Sequence, residues 1–112
     1  MKPLARLPCN RYDIPVIRDF ADETTADVYH GDNSRQARRI PQEIWPVARR
    51  KLDMIENAHD LKDLRAPPGN RLEALRGRLS GFHGIRVNDQ YRVVFRFEDG
   101  TASSVRITDY HD

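Results

Sequence analysis

The hydrophobic period of this chain changes along its length, from 3.6 residues over 41–58 to two residues over 82–108. That change restricts the fold to one that sets a helix against strands. In the first stretch Ile44, Val47, Ala48, Leu52, Ile55 and Ala58 make one helical stripe, and Arg49, Arg50, Asp53 and Glu56 occupy the other side. Pro41 suits the first helical position, and Pro46 falls early enough that its missing amide costs little. In the second stretch the spacing predicts strands over 82–87, 91–97 and 102–108, with turns at Asn88-Asp89-Gln90 and Glu98-Asp99-Gly100. Connections this short make an antiparallel meander. Upstream, residues 16–20 (VIRDF) read as a short first strand, 21–30 as a short helix and Leu72 to Leu75 as a further strand. Residues 60–65 add a helical turn before Pro67-Pro68-Gly69-Asn70 breaks the chain. Ile85, Val87, Tyr91, Val93, Phe95, Phe97, Val105 and Ile107 share one face of the sheet. That face must be buried, and the amphipathic helix is the available cover. The expected class is α+β, an antiparallel sheet with helices packed on one face, in a single domain over 16–112 after an N-terminal extension over 1–15.

Alternation places Arg86, Arg92, Arg96 and Arg106 together on the opposite face. The net charge of +2 conceals a segregation of charge along the chain. Residues 12–32 hold six acids and one base, whereas 65–96 hold seven arginines and two acids. Of the 19 basic residues 16 are arginine, whose planar fork grips phosphate in two places at once. A basic half of this kind is the footprint of a polyanion binder, though arginines on an exposed sheet face also serve solubility. No apolar run approaches the roughly 18 residues of a membrane span. The N-terminus MKPLARLPCNRYD lacks the apolar stretch of a secretory signal. One cysteine, Cys9, makes no disulfide framework and suits a reducing cytoplasm.

Three kinds of proton-handling side chain end the chain, in Asp109-Tyr110-His111-Asp112. Histidine is the group best suited to move protons near neutral pH. On their own four terminal residues also read as an ordinary polar tail. His30, His59, His83 and His111 show no ligand spacing, so no metal is expected, and no Gly-rich loop cradles a phosphate-bearing cofactor.

PPGNRLEALRG (67–77), GFHGIRVNDQYRVVFRFEDG (81–100) and the DYH at 109–111, taken in this order, resemble the HigB-type toxins of the RelE superfamily. The resemblance extends to VIRDF at 16–20 and to 40–65, nearly the whole chain. It implies a twisted antiparallel sheet with helices on one face and an active site on the other. It also implies a cytoplasmic toxin of a type II toxin–antitoxin system, one that cleaves mRNA in the ribosomal A site without a metal or other cofactor. Attack by the RNA 2′-OH on the adjacent phosphate needs a base, an acid and positive charge on the phosphate. His111 is the expected main proton-transfer group. Tyr110 assists by hydrogen bonding or stacking, and Asp109 orients its neighbours or touches the 2′-OH. Arg92, in QYRVVF, matches the arginine suited to the strained phosphorane. Arg76 matches a basic position beside the site, and Arg71, Arg78, Arg86 and Arg96 are expected to hold RNA. Implied partners are a HigA-like helix-turn-helix antitoxin, the ribosome with its mRNA, and operator DNA through the antitoxin.

Glu73 stands where some relatives carry a histidine. It reads either as a base or as a surface charge paired with Arg71 or Arg92. Val16 stands where an initiator methionine often does, so translation is expected to start there, and Asp112 lies one residue past the usual terminal histidine. Two other readings stay open: a ParE-like toxin that binds gyrase, and a degenerate toxin that survives as antitoxin partner and co-repressor. The terminal DYH and Arg92 speak against the first of these; Glu73 and the extension keep the second.

Overall fold

The computed structural model describes residues 16–109; the extension and the terminal Tyr110, His111 and Asp112 lie outside the described residues. Helix α1 spans Glu23–His30. Asp22 begins it by accepting from the Thr25 amide at 2.8 Å, and Gly31, at φ 80°, ends it in the left-handed conformation that glycine adopts without strain. The longer helix, α2, spans Trp45–Glu56 and is preceded by a 3₁₀ turn over Gln42–Ile44. It therefore starts later than Pro41. A helix begun at 41 would carry Pro46 in its interior, short of one amide donor, whereas here Pro46 lies in the first turn. A further 3₁₀ turn over Leu61–Arg65 closes the segment expected at 60–65.

Four strands follow: β1 (Glu73–Ala74), β2 (Phe82–Arg86), β3 (Tyr91–Glu98) and β4 (Thr101–Asp109), antiparallel in the order β1-β2-β3-β4. The strand expected from Leu72 to Leu75 is reduced to two residues, extended only by the Leu75 amide on the Phe82 carbonyl. The register shifts between Val94 and Arg96, where Ser104, at φ 51°, makes β4 bulge. Residues 16–20 form no regular strand. They run beside β4 in parallel, bridging at Ile17–Ala102 and Phe20–Val105, and the Asp19 carboxylate accepts from the Ser104 amide at 2.6 Å.

Helix α2 turns Trp45, Ala48, Leu52 and Ile55 onto Ile85, Val93, Phe95, Val105 and Ile107, all buried in one cluster with Val28 of α1. Both helices thus lie on one face of the sheet. α1 is tied to β4 by a buried bond from the Ile107 amide to the Thr25 hydroxyl, 2.8 Å. Thr25→Val keeps the shape and strands that amide. We expect it to cost about 1–3 kcal/mol, read as a lower urea midpoint with an unchanged slope.

A buried polar pair joins α2 to the loop that follows the 61–65 turn. Lys51, 8% exposed, donates to Oδ1 of the fully buried Asn70 at 2.6 Å, and Asn70 Nδ2 donates to the Leu64 carbonyl at 3.1 Å. Burial, reinforced by the charges of Arg50 and Arg86, holds the Lys51 amine below its ordinary value of 10.5. The folded chain gives up this proton before the unfolded chain does, so stability gains from this group as pH rises from the lowered value towards 10.5. The parent should therefore gain melting temperature relative to Lys51→Met as the pH is raised towards 10.5. A constant difference across that range would contradict this assignment.

Candidate active site and nucleic-acid interface

The face of the sheet turned away from the helices is laid out in cross-strand rows. Arg86 lies opposite Arg92, and Arg92 opposite Thr108. The next row runs Glu73, Gly84, Val94, Arg106, and the one after it Phe82, Arg96, Ser103. All four arginines expected on this face are therefore on it. Like charges placed directly opposite destabilise a sheet, and Arg86 is offset by an ion pair to Asp89 in the β2–β3 turn. Arg92 is half-buried, with Nε and Nη1 shielded from solvent, so its guanidinium is held close to the sheet. Arg96 and Arg106 are exposed and, among the described residues, make no hydrogen bond or ion pair.

The face is less uniformly polar than the alternation implies. Val94 is fully buried on it and Leu75 is 6% exposed, neither of them belonging to the cluster under the helices. Together with the half-buried Phe82 they make an apolar floor beneath the arginines. Gly84 contributes no side chain between Glu73 and Val94, and the Leu75 side chain covers it, 3.8 Å from where a Cβ would sit.

Glu73 is exposed on the edge strand β1 and, among the described residues, forms no ion pair with Arg71 or Arg92. It also borders a cleft of about 350 Å³ between the 61–65 turn and His83, so it stands where the arginine face meets that cleft. Arg71, Arg76 and Arg78 flank β1 on its two connecting loops and are exposed; they surround the face without lying on it. Asp109 lies opposite Tyr91, one step out of phase with Arg92 and Thr108. Its carboxylate accepts from Gln90 Nε2 at 3.0 Å and belongs by alternation to the helix side. The structure thus brings Arg92, Arg86, Arg96 and Glu73 to one face but not Asp109, and Tyr110 and His111 lie outside the described residues.

Phe82 and the buried Lys51–Asn70 pair carried no assignment in the sequence reading. Lys51 falls within the α2 stripe, between Ala48 and Ile55, a spacing that marks it as inward-facing. Among the described residues no three histidine, cysteine, aspartate or glutamate side chains are grouped to hold a metal ion. Nor, among them, is any helix long and apolar enough to cross a membrane.

Residues 18–111 match the family model of the HigB-like toxin, a RelE-like toxin of type II toxin–antitoxin systems. The chain belongs to this family and is a toxin of that class, so its partner class is an antitoxin. It is 43% identical over 84 residues to Toxin HigB-1 of Vibrio cholerae, covering 75% of this chain and 86% of that one. It is 39% identical over 67 residues to an uncharacterized protein of Haemophilus influenzae, covering 60% and 66% of the two chains. Among solved structures it is similar to the YoeB-YefM complex from Staphylococcus aureus, with a TM-score of 0.47 and 15% identity over 86% of this chain and 98% of that one.

Proposed function

We propose that this toxin is a ribosome-dependent endoribonuclease of the cytoplasm that cleaves mRNA in the A site and so inhibits translation. The observation that carries the reading is the row of Arg86 and Arg92 beside the uncommitted Arg96 and Arg106 on one exposed sheet face. Arginines gathered on one exposed face offer their planar forks to successive phosphates of a polyanion.

In the reaction the 2′-oxygen loses its proton to a base and attacks the adjacent phosphorus. The bond from phosphorus to the 5′-oxygen breaks, and that oxygen takes a proton from an acid, leaving a 2′,3′-cyclic phosphate and a 5′-hydroxyl. Arg92 stabilises the charge on the phosphorane, a role supported by its place at the centre of the basic rows. His111 moves the protons with Tyr110 beside it. Glu73, at the edge of the same face, is the second candidate base. Asp109 acts through Gln90 and the β2–β3 turn instead of touching the phosphate. No metal ion is required by this scheme. Arg71, Arg76 and Arg78 take the strand on either side of β1. A HigA-like helix-turn-helix antitoxin neutralises the toxin and carries it to operator DNA.

The test is a translation reaction with purified ribosomes and a defined mRNA, with 5′ ends mapped by primer extension. We expect cuts within A-site codons that need ribosomes and vanish with His111→Ala. Intact mRNA in every lane would transfer the assignment to a protein target such as gyrase.

A further inference from the structure

An aromatic ring on the arginine face calls for an explanation. Phe82 is half-buried on the side of the sheet that carries Glu73, Arg92 and Arg106, not in the core under the helices. Its direct cross-strand partner is Arg96, whose guanidinium carbon lies over the ring, 4.6 Å from the centroid. Gly81 makes this approach possible. A Cβ there would sit 3.3 Å from Arg96 Nη1, and the φ of +94° is one that residues with side chains rarely adopt. Glycine, ring and guanidinium are thus fitted to one another at the start of β2.

Arg96, like Arg106, is tied to no polar partner among the described residues, and it differs from Arg106 in resting on a ring. Arg86 is paired with Asp89, Arg38 donates to Asn33, and Arg49 donates to the Val28 carbonyl. Arg96 is exposed and, among the described residues, is held by the Phe82 ring alone. A guanidinium backed by a ring presents a flat, weakly hydrated cation to solvent. An acidic peptide would need only its edge. A flat π-system uses its plane, and nucleobases stack on arginine and aromatic planes in single-stranded RNA recognition.

We propose that Phe82 and Arg96 form a shelf on which one base of the mRNA stacks, favouring a purine for its larger surface. This rests on the nuclease reading above. Arg96 is four residues along β3 from Arg92, about 13 Å at strand spacing. The stacked base is therefore a neighbour along the strand, not one flanking the cleaved phosphate.

The test uses ribosomes programmed with an mRNA library randomised around the A-site codon, with cut ends read by sequencing. Parent, Phe82→Ala, Phe82→Trp, Arg96→Lys and Arg106→Ala are compared, each checked for an unchanged melting temperature. We expect the parent to favour purine over pyrimidine about 10-fold at one position outside the cut. Phe82→Ala should bring that ratio close to one, Phe82→Trp should keep it, and Arg96→Lys should reduce it. Arg106→Ala should slow all cuts alike. If Phe82→Ala fails to fold, the contrast between Phe82→Trp and Arg96→Lys carries the same decision. A parent that cuts with no such preference, or a preference indifferent to Phe82 and Arg96, overturns the shelf while leaving the nuclease in place. A parent that cuts nothing removes the nuclease reading and the shelf with it. Unchanged base preference with weakened antitoxin binding would make the pair a protein contact and also overturn it.

Discussion

Arg92→Ala should lower the rate of mRNA cleavage on the ribosome by about 100- to 1000-fold, the usual loss when one donor to a developing oxyanion is removed. The residue is half-buried and central, opposite both Arg86 and Thr108, so no neighbour on the face can move into its place without leaving its own strand position. Unfolding is measured alongside, so that a loss of rate is separated from a loss of fold. Arg92→Lys keeps the charge and loses the planar fork, and should fall between the parent and the alanine variant. The measurement is single-turnover cleavage of a defined mRNA, with urea unfolding run beside it. Full activity in Arg92→Ala would remove this face from the chemistry.

Asn70→Ala should be the most damaging single substitution for the fold, costing about 3–5 kcal/mol, because it leaves the Lys51 amine buried without its acceptor. Asn70 also donates to the Leu64 and Ala66 carbonyls, so the 66–71 loop loses its tie to the 61–65 turn at the same time. Lys51→Met alone costs less, about 1–3 kcal/mol, since it leaves only a neutral carbonyl oxygen unsatisfied. The decisive comparison is the double variant Lys51→Met with Asn70→Ala. Removing charge and acceptor together should recover part of the loss, giving a coupling of about 2 kcal/mol in a double-mutant cycle. Losses that simply add within about 0.5 kcal/mol would show that the two side chains do not act as a pair.

Much of the sheet was legible because hydrophobic alternation is a local signal. Ile85, Val93, Phe95 and Ile107 carry it without interruption, and the cross-strand rows of arginines follow from the same parity. Three features depended on contacts that local patterns do not contain. The bulge at Ser104 breaks the parity of β4, so Ala102 and Val105 both reach the core despite their odd separation. Residues 16–20 have the composition of a strand, but their pairing is parallel and reduced to two bridges by that bulge and by the Asp19 carboxylate on the Ser104 amide. Asn70 looked like a turn residue in a Pro-Gly context, and only the fold brings it to Lys51 of α2. For the site, alternation carried on from Ile107 already separates Asp109 from Arg92, whereas the motif alone groups them. Phe82 went unassigned because an aromatic beside a strand of core residues looks like one more of them.

The contacts to β4 also fix when this molecule can come into being. Ile17, Asp19, Phe20 and Thr25 all find their partners between Ala102 and Ile107, up to 85 residues away. Helix α1 and the segment before it can meet α2 early, through the Arg49 bond to the Val28 carbonyl and the Ile17 amide on Glu56, but their place beside the sheet waits until residues 101–109 have been made. Contacts of such long sequence separation are late and slow to form, because the intervening loop must close before they are rewarded. The arginine face therefore cannot assemble before β4 has been made. The interval before β4 is complete is a window in which an antitoxin can meet the toxin while its arginine face is still unformed.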